Sequence, residues 1–125
     1  MESELAQEIR DFISRHIGSV ERLEVLLLLY RSPERNWSVA AVSQELRSSE
    51  IAVTRSLNML VASQLAAAYG DGFRFQPSTP ALLRETELVA ATYRVRPVKV
   101  IECIYRRPNP QLLDFSEAFK LRKRP

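Results

Sequence analysis

The sequence predicts a mainly α-helical domain that carries one small β-hairpin. Apolar residues recur at steps of three and four in several segments, which indicates amphipathic helices. A Gly-Asp-Gly turn between two short apolar runs indicates the hairpin. The 125 residues, of which 46% are hydrophobic and 26% charged, suffice for one core without metals or disulfides. We therefore expect one domain over 1–125, with an N-terminal helix in 1–18, a central unit in 19–77, and helices and a basic tail in 78–125.

The first eighteen residues predict an amphipathic helix, and the next segment predicts a buried one. In residues 3–17 the apolar positions share one face, and they are Leu5, Ile9, Phe12, Ile13 and Ile17. After Gly18, Ser19 is expected to cap a second helix that runs to about residue 31. Leucines cover nearly all sides of this helix, so it should be central and buried. Pro33 ends it.

Between residues 36 and 77 the pattern predicts an extended piece, two helices and the hairpin. Ser38 is expected to cap a helix over 39–46, and a three-residue turn leads to a helix over 50–63. The inward side of helix 50–63 consists of Val53, Leu57, Leu60 and Val61. Two short runs then bracket Gly70-Asp71-Gly72, where a tight turn needs positive backbone angles.

The C-terminal third begins with Thr79-Pro80, which predicts the start of a helix that runs to about residue 93. Residues 94–105 are ambiguous, because their β-branched residues suit a strand while Val98, Ile101 and Tyr105 recur at helical spacing. We favour a helix that starts near Pro97. A last short helix over 112–121 is expected before the basic tail.

This order of elements resembles the winged helix-turn-helix DNA-binding superfamily, and within it the multiple-antibiotic-resistance-regulator (MarR) type. The resemblance is carried by Trp37–Leu46, Ser49–Leu57, Leu60–Leu65 and the hairpin. It implies a winged helix-turn-helix with flanking N- and C-terminal helices, and a DNA-binding transcriptional regulator. Helix 50–63 would be the recognition helix in the major groove of double-stranded DNA, and hairpin 65–76 would be the wing. The same fold also serves as a protein docking module, so an adaptor with little or no DNA binding is the alternative.

Candidate DNA-contacting residues follow from the helical register. With the apolar stripe of helix 50–63 turned inward, Arg55 and Asn58 face outward. Arg55 has the geometry to read guanine, and Asn58 the geometry to read adenine. Ser48 and Thr54 are candidates for phosphate contacts. Arg74, the basic residue of the wing, either contacts phosphate or only keeps the hairpin soluble.

The outward face of helix 50–63 also carries apolar residues, and these suggest a second kind of contact. Ile51 and Met59 are candidates for binding a protein partner, with contact to thymine methyl groups or no contact as the alternatives. Over residues 38–77 Glu45, Glu50 and Asp71 cancel the three arginines, so this unit alone neutralises few phosphates. Residues 94–125 hold nine basic and three acidic groups. That excess is either a solvated end or a binding site for nucleic acid or an acidic partner.

No enzyme, metal or cofactor pattern is recognisable. The chain has three glycines, one histidine and one cysteine, so neither a phosphate-binding loop nor a paired nucleophile is indicated. We expect His16 to lie on a helix surface and Cys103 to be a small core residue. The acidic start and the short apolar runs argue against a secretion signal or a membrane partner, and a cytoplasmic location follows by elimination. Residues 3–17 and 80–105 should leave apolar surface that a homodimer would cover.

Overall fold

The computed structural model describes residues 5–106 and contains six helices and one small antiparallel sheet. The order is α1 (Gln7–His16), α2 (Val20–Arg31), β1 (Trp37–Ser38), α3 (Val39–Leu46), α4 (Glu50–Ala62), β2 (Ala66–Tyr69), β3 (Gly72–Phe75), α5 (Pro80–Val95) and α6 (Pro97–Arg106). The mainly helical fold with a hairpin wing is thus confirmed. So is the choice of a helix from Pro97 rather than a strand over 94–105. The predicted helix over 112–121 and the basic tail lie outside the described residues.

Side-chain caps fix where four of the helices begin. In each, a hydroxyl oxygen accepts a hydrogen bond of 3.0 to 3.1 Å from the backbone N–H three residues later. This satisfies one of the amide groups that have no partner inside the first turn. The capping residues are Ser19, Ser38, Ser49 and Thr79.

The sheet has three strands in the order β1-β3-β2, one more than the predicted hairpin. The third is β1, which pairs Trp37 with Phe73. At the hairpin turn, Gly70 is the residue with a positive φ of 55°, at the first loop position, as in a type II′ turn. Gly72 already belongs to β3, where a Cβ atom would lie 2.8 Å from the carbonyl oxygen of Trp37. Gly70 therefore provides the positive backbone angle of the turn, and Gly72 allows β1 and β3 to approach closely.

Helix α2 occupies the centre of the core. Its residues 25–29 are all buried, and Leu23 is fully buried as well. The helix packs against α3, α4 and β3, and the ring of Tyr30 meets that of Phe75 edge-on at 5.5 Å. The prediction of a central, buried second helix is confirmed.

The flanking helices pack on one another, which corrects one expectation. The apolar stripe of α1 is not spare surface, since it is covered within the chain by α5 and α6. Large exposed apolar side chains lie instead at the end of α5 and along α6, at Val95 (75% exposed), Val98 (65%) and Tyr105 (75%). Ile101 lies between Val98 and Tyr105 on the same helix face and is half-buried.

Candidate nucleic-acid interface

Helix α4 is held by its apolar side against α2 and α3. Val53, Leu57 and Leu60 have no exposed surface, and Val61 is partly buried against the same core. This is the inward stripe that the sequence predicts. Because the stripe is buried, the rotation of α4 about its axis is fixed, and the opposite side must face solvent.

The outward side of α4 combines polar and apolar groups. Arg55 and Asn58 are exposed, and so are Ile51 (74% exposed) and Met59 (42%). Thr54 is half-buried at the edge of this side. Steps of four and three residues separate Ile51, Arg55 and Asn58, so these three form one row along the helix.

The turn before α4 is tied to the core by serine side chains. The hydroxyl of Ser48 donates to the carboxylate of Glu21 on α2, and the hydroxyl of Ser43 donates to the carbonyl oxygen of Ser48. Ser48 is half-buried, so its side chain contributes to the fold as well as lying near the outward side of α4. Arg47, at the end of α3, is exposed and has a left-handed backbone with a φ of 55°.

The wing presents one polar face. Side chains alternate along a strand, so Phe75 turns to the core while Arg74 lies on the outer face. The guanidinium of Arg74 lies 4.1 Å above the ring of Tyr69, whose hydroxyl donates to Gln76. Asn36 donates from its side-chain amide to the carbonyl oxygen of Tyr69 at 3.2 Å. The stacking on Tyr69 holds the half-buried side chain of Arg74 against the sheet.

Two cations near this surface were missed as candidates from the sequence. Arg47 is one of the three arginines of residues 38–77, and it lies in the turn between α3 and α4. Arg35 stacks over the ring of Trp37 at 3.6 Å, next to the outer strand β1. The signal for Arg35 was the nearby tryptophan, because arginine and an aromatic ring two residues apart in an extended segment lie on the same side.

Acidic residues limit the positive charge of the surface. Glu45, Glu50 and Asp71 are exposed, and Glu50 occupies the first turn of α4. A carboxylate in the first turn favours the helix dipole, but it repels a phosphate placed there. The charge of the described surface therefore has to come from individually placed arginines rather than from a broad basic patch.

Among residues 5–106 no cluster of three metal-ligating side chains occurs, and no helix is long and apolar enough to cross a membrane. His16 is half-buried with its ring centroid 5.0 Å from that of Phe12. Burial, reinforced by the charge of Arg15 and opposed by that of Glu85, lowers the pKa of His16 below its ordinary value of 6.5. Cys103 is partly buried against the core.

Solved structures share this arrangement. No family model and no curated protein matches the sequence. A crystal structure of the MarR family protein Rv2887 of Mycobacterium tuberculosis matches with a TM-score of 0.55 and 18% identity, covering 90% of this chain and 80% of that one. The fold is that of a MarR protein. A second structure of Rv2887, in complex with DNA, matches with a TM-score of 0.54 and 17% identity, covering 93% and 86% of the two chains.

The MarR fold accounts for the flanking helices as well as the winged unit, because the match extends over most of the chain. At this level of identity the likeness concerns the fold alone. The roles of Ser48, Thr54, Arg55, Asn58 and Arg74 therefore have to be argued from their positions on the MarR fold.

Proposed function

We propose that the chain is a DNA-binding transcriptional regulator that places α4 in the major groove and its hairpin on the flanking backbone. The observation that carries the proposal is the exposed pair Arg55 and Asn58 on the one side of α4 that the core leaves free. Guanine and adenine are the bases that these side chains contact with two hydrogen bonds. Rv2887, a protein of the same fold, has been crystallised in complex with DNA, and this supports DNA as the ligand.

Phosphate contacts would come from arginines around α4. Arg47 is exposed in the turn before the helix, and Arg74 lies on the outer face of the wing. Arg35 stands beside β1 as a further cation. Ser48 and Thr54 are half-buried at the edge of the helix and would add hydrogen bonds to the backbone rather than charge.

We further propose that the regulator is a homodimer joined through α5 and α6. The large apolar side chains of Val95, Val98 and Tyr105 are exposed at the end of α5 and along α6, and monomers rarely expose large apolar patches to water. A two-fold dimer would present two copies of α4 to successive major grooves. In this proposal the division into 1–18, 19–77 and 78–125 separates the DNA-reading unit from its flanks, and the described helices of the two flanks, α1, α5 and α6, pack on one another.

The adaptor alternative is favoured by one observation, the exposed apolar pair Ile51 and Met59 on the same helix side. An adaptor of this kind would bind protein through α4 and little or no DNA. Neither function uses a catalytic group, a cofactor or a membrane, and a regulator of this kind works in the cytoplasm.

A mobility-shift titration with random-sequence duplex at low and at moderate salt tests the proposal. We expect binding at micromolar protein that weakens steeply as salt rises, because neutralised phosphates release counterions. The sharpest variant is Arg47→Gly, because glycine suits the φ of 55° at this position and removes the cation without straining the backbone.

In that variant the log–log salt slope should fall by about 0.9, the contribution of one phosphate contact. Arg84→Gln, which removes an exposed cation of α5, is the control and should leave the slope unchanged. Absence of any shift at low salt would reject DNA binding and favour the adaptor.

A further inference from the structure

Ile51 is a large apolar residue that is exposed to solvent. It lies in the first turn of α4 between Glu50 and the row of Arg55 and Asn58, and 74% of its side chain is exposed. Nothing in the fold requires a large apolar group here, because the inward stripe of α4 is already buried. A single exposed apolar residue is ordinary in itself, and Ile51 is distinguished by its position on α4.

The position is one that a recognition helix uses for bases. Residues near the N-terminus of such a helix reach the base edges in the major groove. Ile51 shares its row with Arg55 and Asn58, four and seven residues further on, so a duplex contacted by those two also faces Ile51. The branched side chain of isoleucine has essentially one rotamer in a helix, so it loses little freedom on contact.

The chemistry of isoleucine selects among bases. It offers no hydrogen-bond donor or acceptor, and a base edge made only of polar atoms would lose its water against it without compensation. Of the base edges in the major groove, that of thymine presents a methyl group. We propose that Ile51 is a specificity residue that reads the 5-methyl group of a thymine.

The spacing places that thymine. A rise of 1.5 Å per residue sets Ile51 about 6 Å from Arg55 along the helix axis, close to the length of two base steps. The thymine therefore lies within about two base pairs of the base that Arg55 contacts. This inference rests on the proposed DNA-binding function.

A protein ligand explains Ile51 less well. The other large apolar residue exposed on this side, Met59, is eight residues away, and the polar groups of Arg55 and Asn58 stand between the two. A docking patch for protein would be expected to be contiguous. Because polar groups separate the two apolar ones, this side of α4 fits a row of separate base contacts better than a protein docking patch.

The test begins by enriching a preferred duplex from a random-sequence pool with the full chain. Each thymine of that duplex is then replaced by deoxyuridine, which removes the methyl group and leaves base pairing intact. At one position the wild-type chain should lose about four-fold in affinity, the loss expected for one buried methyl group. Ile51→Ala should bind the thymine and uracil duplexes equally, and the control Met59→Ala should keep the four-fold difference.

The outcomes separate this inference from the function on which it rests. If the wild-type chain binds every deoxyuridine duplex as tightly as the thymine duplex, the proposed role of Ile51 is overturned. It is also overturned if Ile51→Ala still binds the thymine duplex more tightly than the deoxyuridine duplex. If the chain binds duplex DNA but enriches no sequence from the pool, the role of Ile51 is overturned and the proposal of DNA binding is kept. No binding at low salt overturns the proposed function as well.

Discussion

The hydroxyl of Ser48 donates a hydrogen bond to the carboxylate of Glu21, which joins the turn before α4 to the first turn of α2. The two residues are 27 positions apart in the sequence. Since α2 is the buried centre of the fold, this bond helps to set where α4 begins. The bond makes Ser48 a positioning residue for α4, in addition to the phosphate contact that the sequence suggests.

Ser48→Ala should lower the free energy of unfolding by about 1 kcal/mol, because a half-buried hydrogen bond to a carboxylate is lost. Urea denaturation measures the change. Ser14→Ala, at an exposed position of α1, is the matched control and should be neutral or slightly stabilising. If Ser48→Ala is as harmless as Ser14→Ala, and if a double-mutant cycle of Ser48→Ala with Glu21→Gln gives no coupling energy, the bond contributes nothing to the free energy of unfolding.

Gln64→Gly should raise the free energy of unfolding by about 0.5 to 1 kcal/mol. Gln64 follows α4 with a left-handed φ of 65°, in a Schellman arrangement where Leu65 N–H bonds to the carbonyl of Leu60. Glycine removes the strain at the cost of an exposed hydrogen bond from Ser78, 2.7 Å long. Gln64→Ala loses the same bond but keeps the strain, so a comparable gain from alanine would contradict this account.

Arg55→Ala should weaken binding to the enriched duplex by about 1 to 3 kcal/mol, because a two-hydrogen-bond base contact is lost. Met59→Ala should have little effect. If a protein is the true ligand the order reverses, since an apolar anchor at an interface centre exceeds about 2 kcal/mol. Both side chains are exposed, so a large drop in melting temperature for either variant would show that the side of α4 is misassigned.

The stability of the chain should fall as the pH is lowered from 7.5 to 5.5, and His16 should account for part of the fall. Its folded-state pKa is lowered, with burial the first cause and the charge of Arg15 the second. In the pH window below its ordinary value of 6.5, the unfolded chain therefore binds more protons than the folded chain. Denaturation of wild type and His16→Gln at the two pH values measures this, and equal losses in both would rule it out.

Light scattering should give twice the 14.3 kDa mass of one chain. Tyr105→Glu should shift the mass toward the monomer, because a carboxylate would be placed on the apolar face of α6 that the proposed dimer buries. Ile51→Glu, which changes a residue of equal exposure on α4, is the control and should stay dimeric. A wild-type mass of one chain at tens of micromolar would contradict the dimer.

The sequence predicted most elements because their signals are local. Capping by Ser19, Ser38 and Thr79 and the inward stripe of α4 depend on neighbours three or four residues away. Strand β1 escaped prediction as a sheet member because two residues carry no alternation. In α6 apolar residues lie on two sides, so spacing alone did not reveal that Val100 and Ile104 are the buried ones.

The candidate site was predictable only in part, for a similar reason. The outward side of α4 follows from the stripe opposite to it, and Arg55, Asn58, Ile51 and Met59 are exposed as the register requires. Contacts between distant segments leave no trace in the local pattern. The bond from Ser48 to Glu21 is one of these.

Because the middle of α2 is buried, hydrogen exchange in this helix should report the stability of the whole fold. Its side chains are buried in the core, so the exchange of its amide hydrogens with deuterium should be among the slowest of the described residues and should follow the global free energy of unfolding. A duplex that binds only the folded chain raises that free energy. Exchange in α2 should therefore slow when DNA binds at α4, although α2 is not part of the proposed DNA-contacting surface.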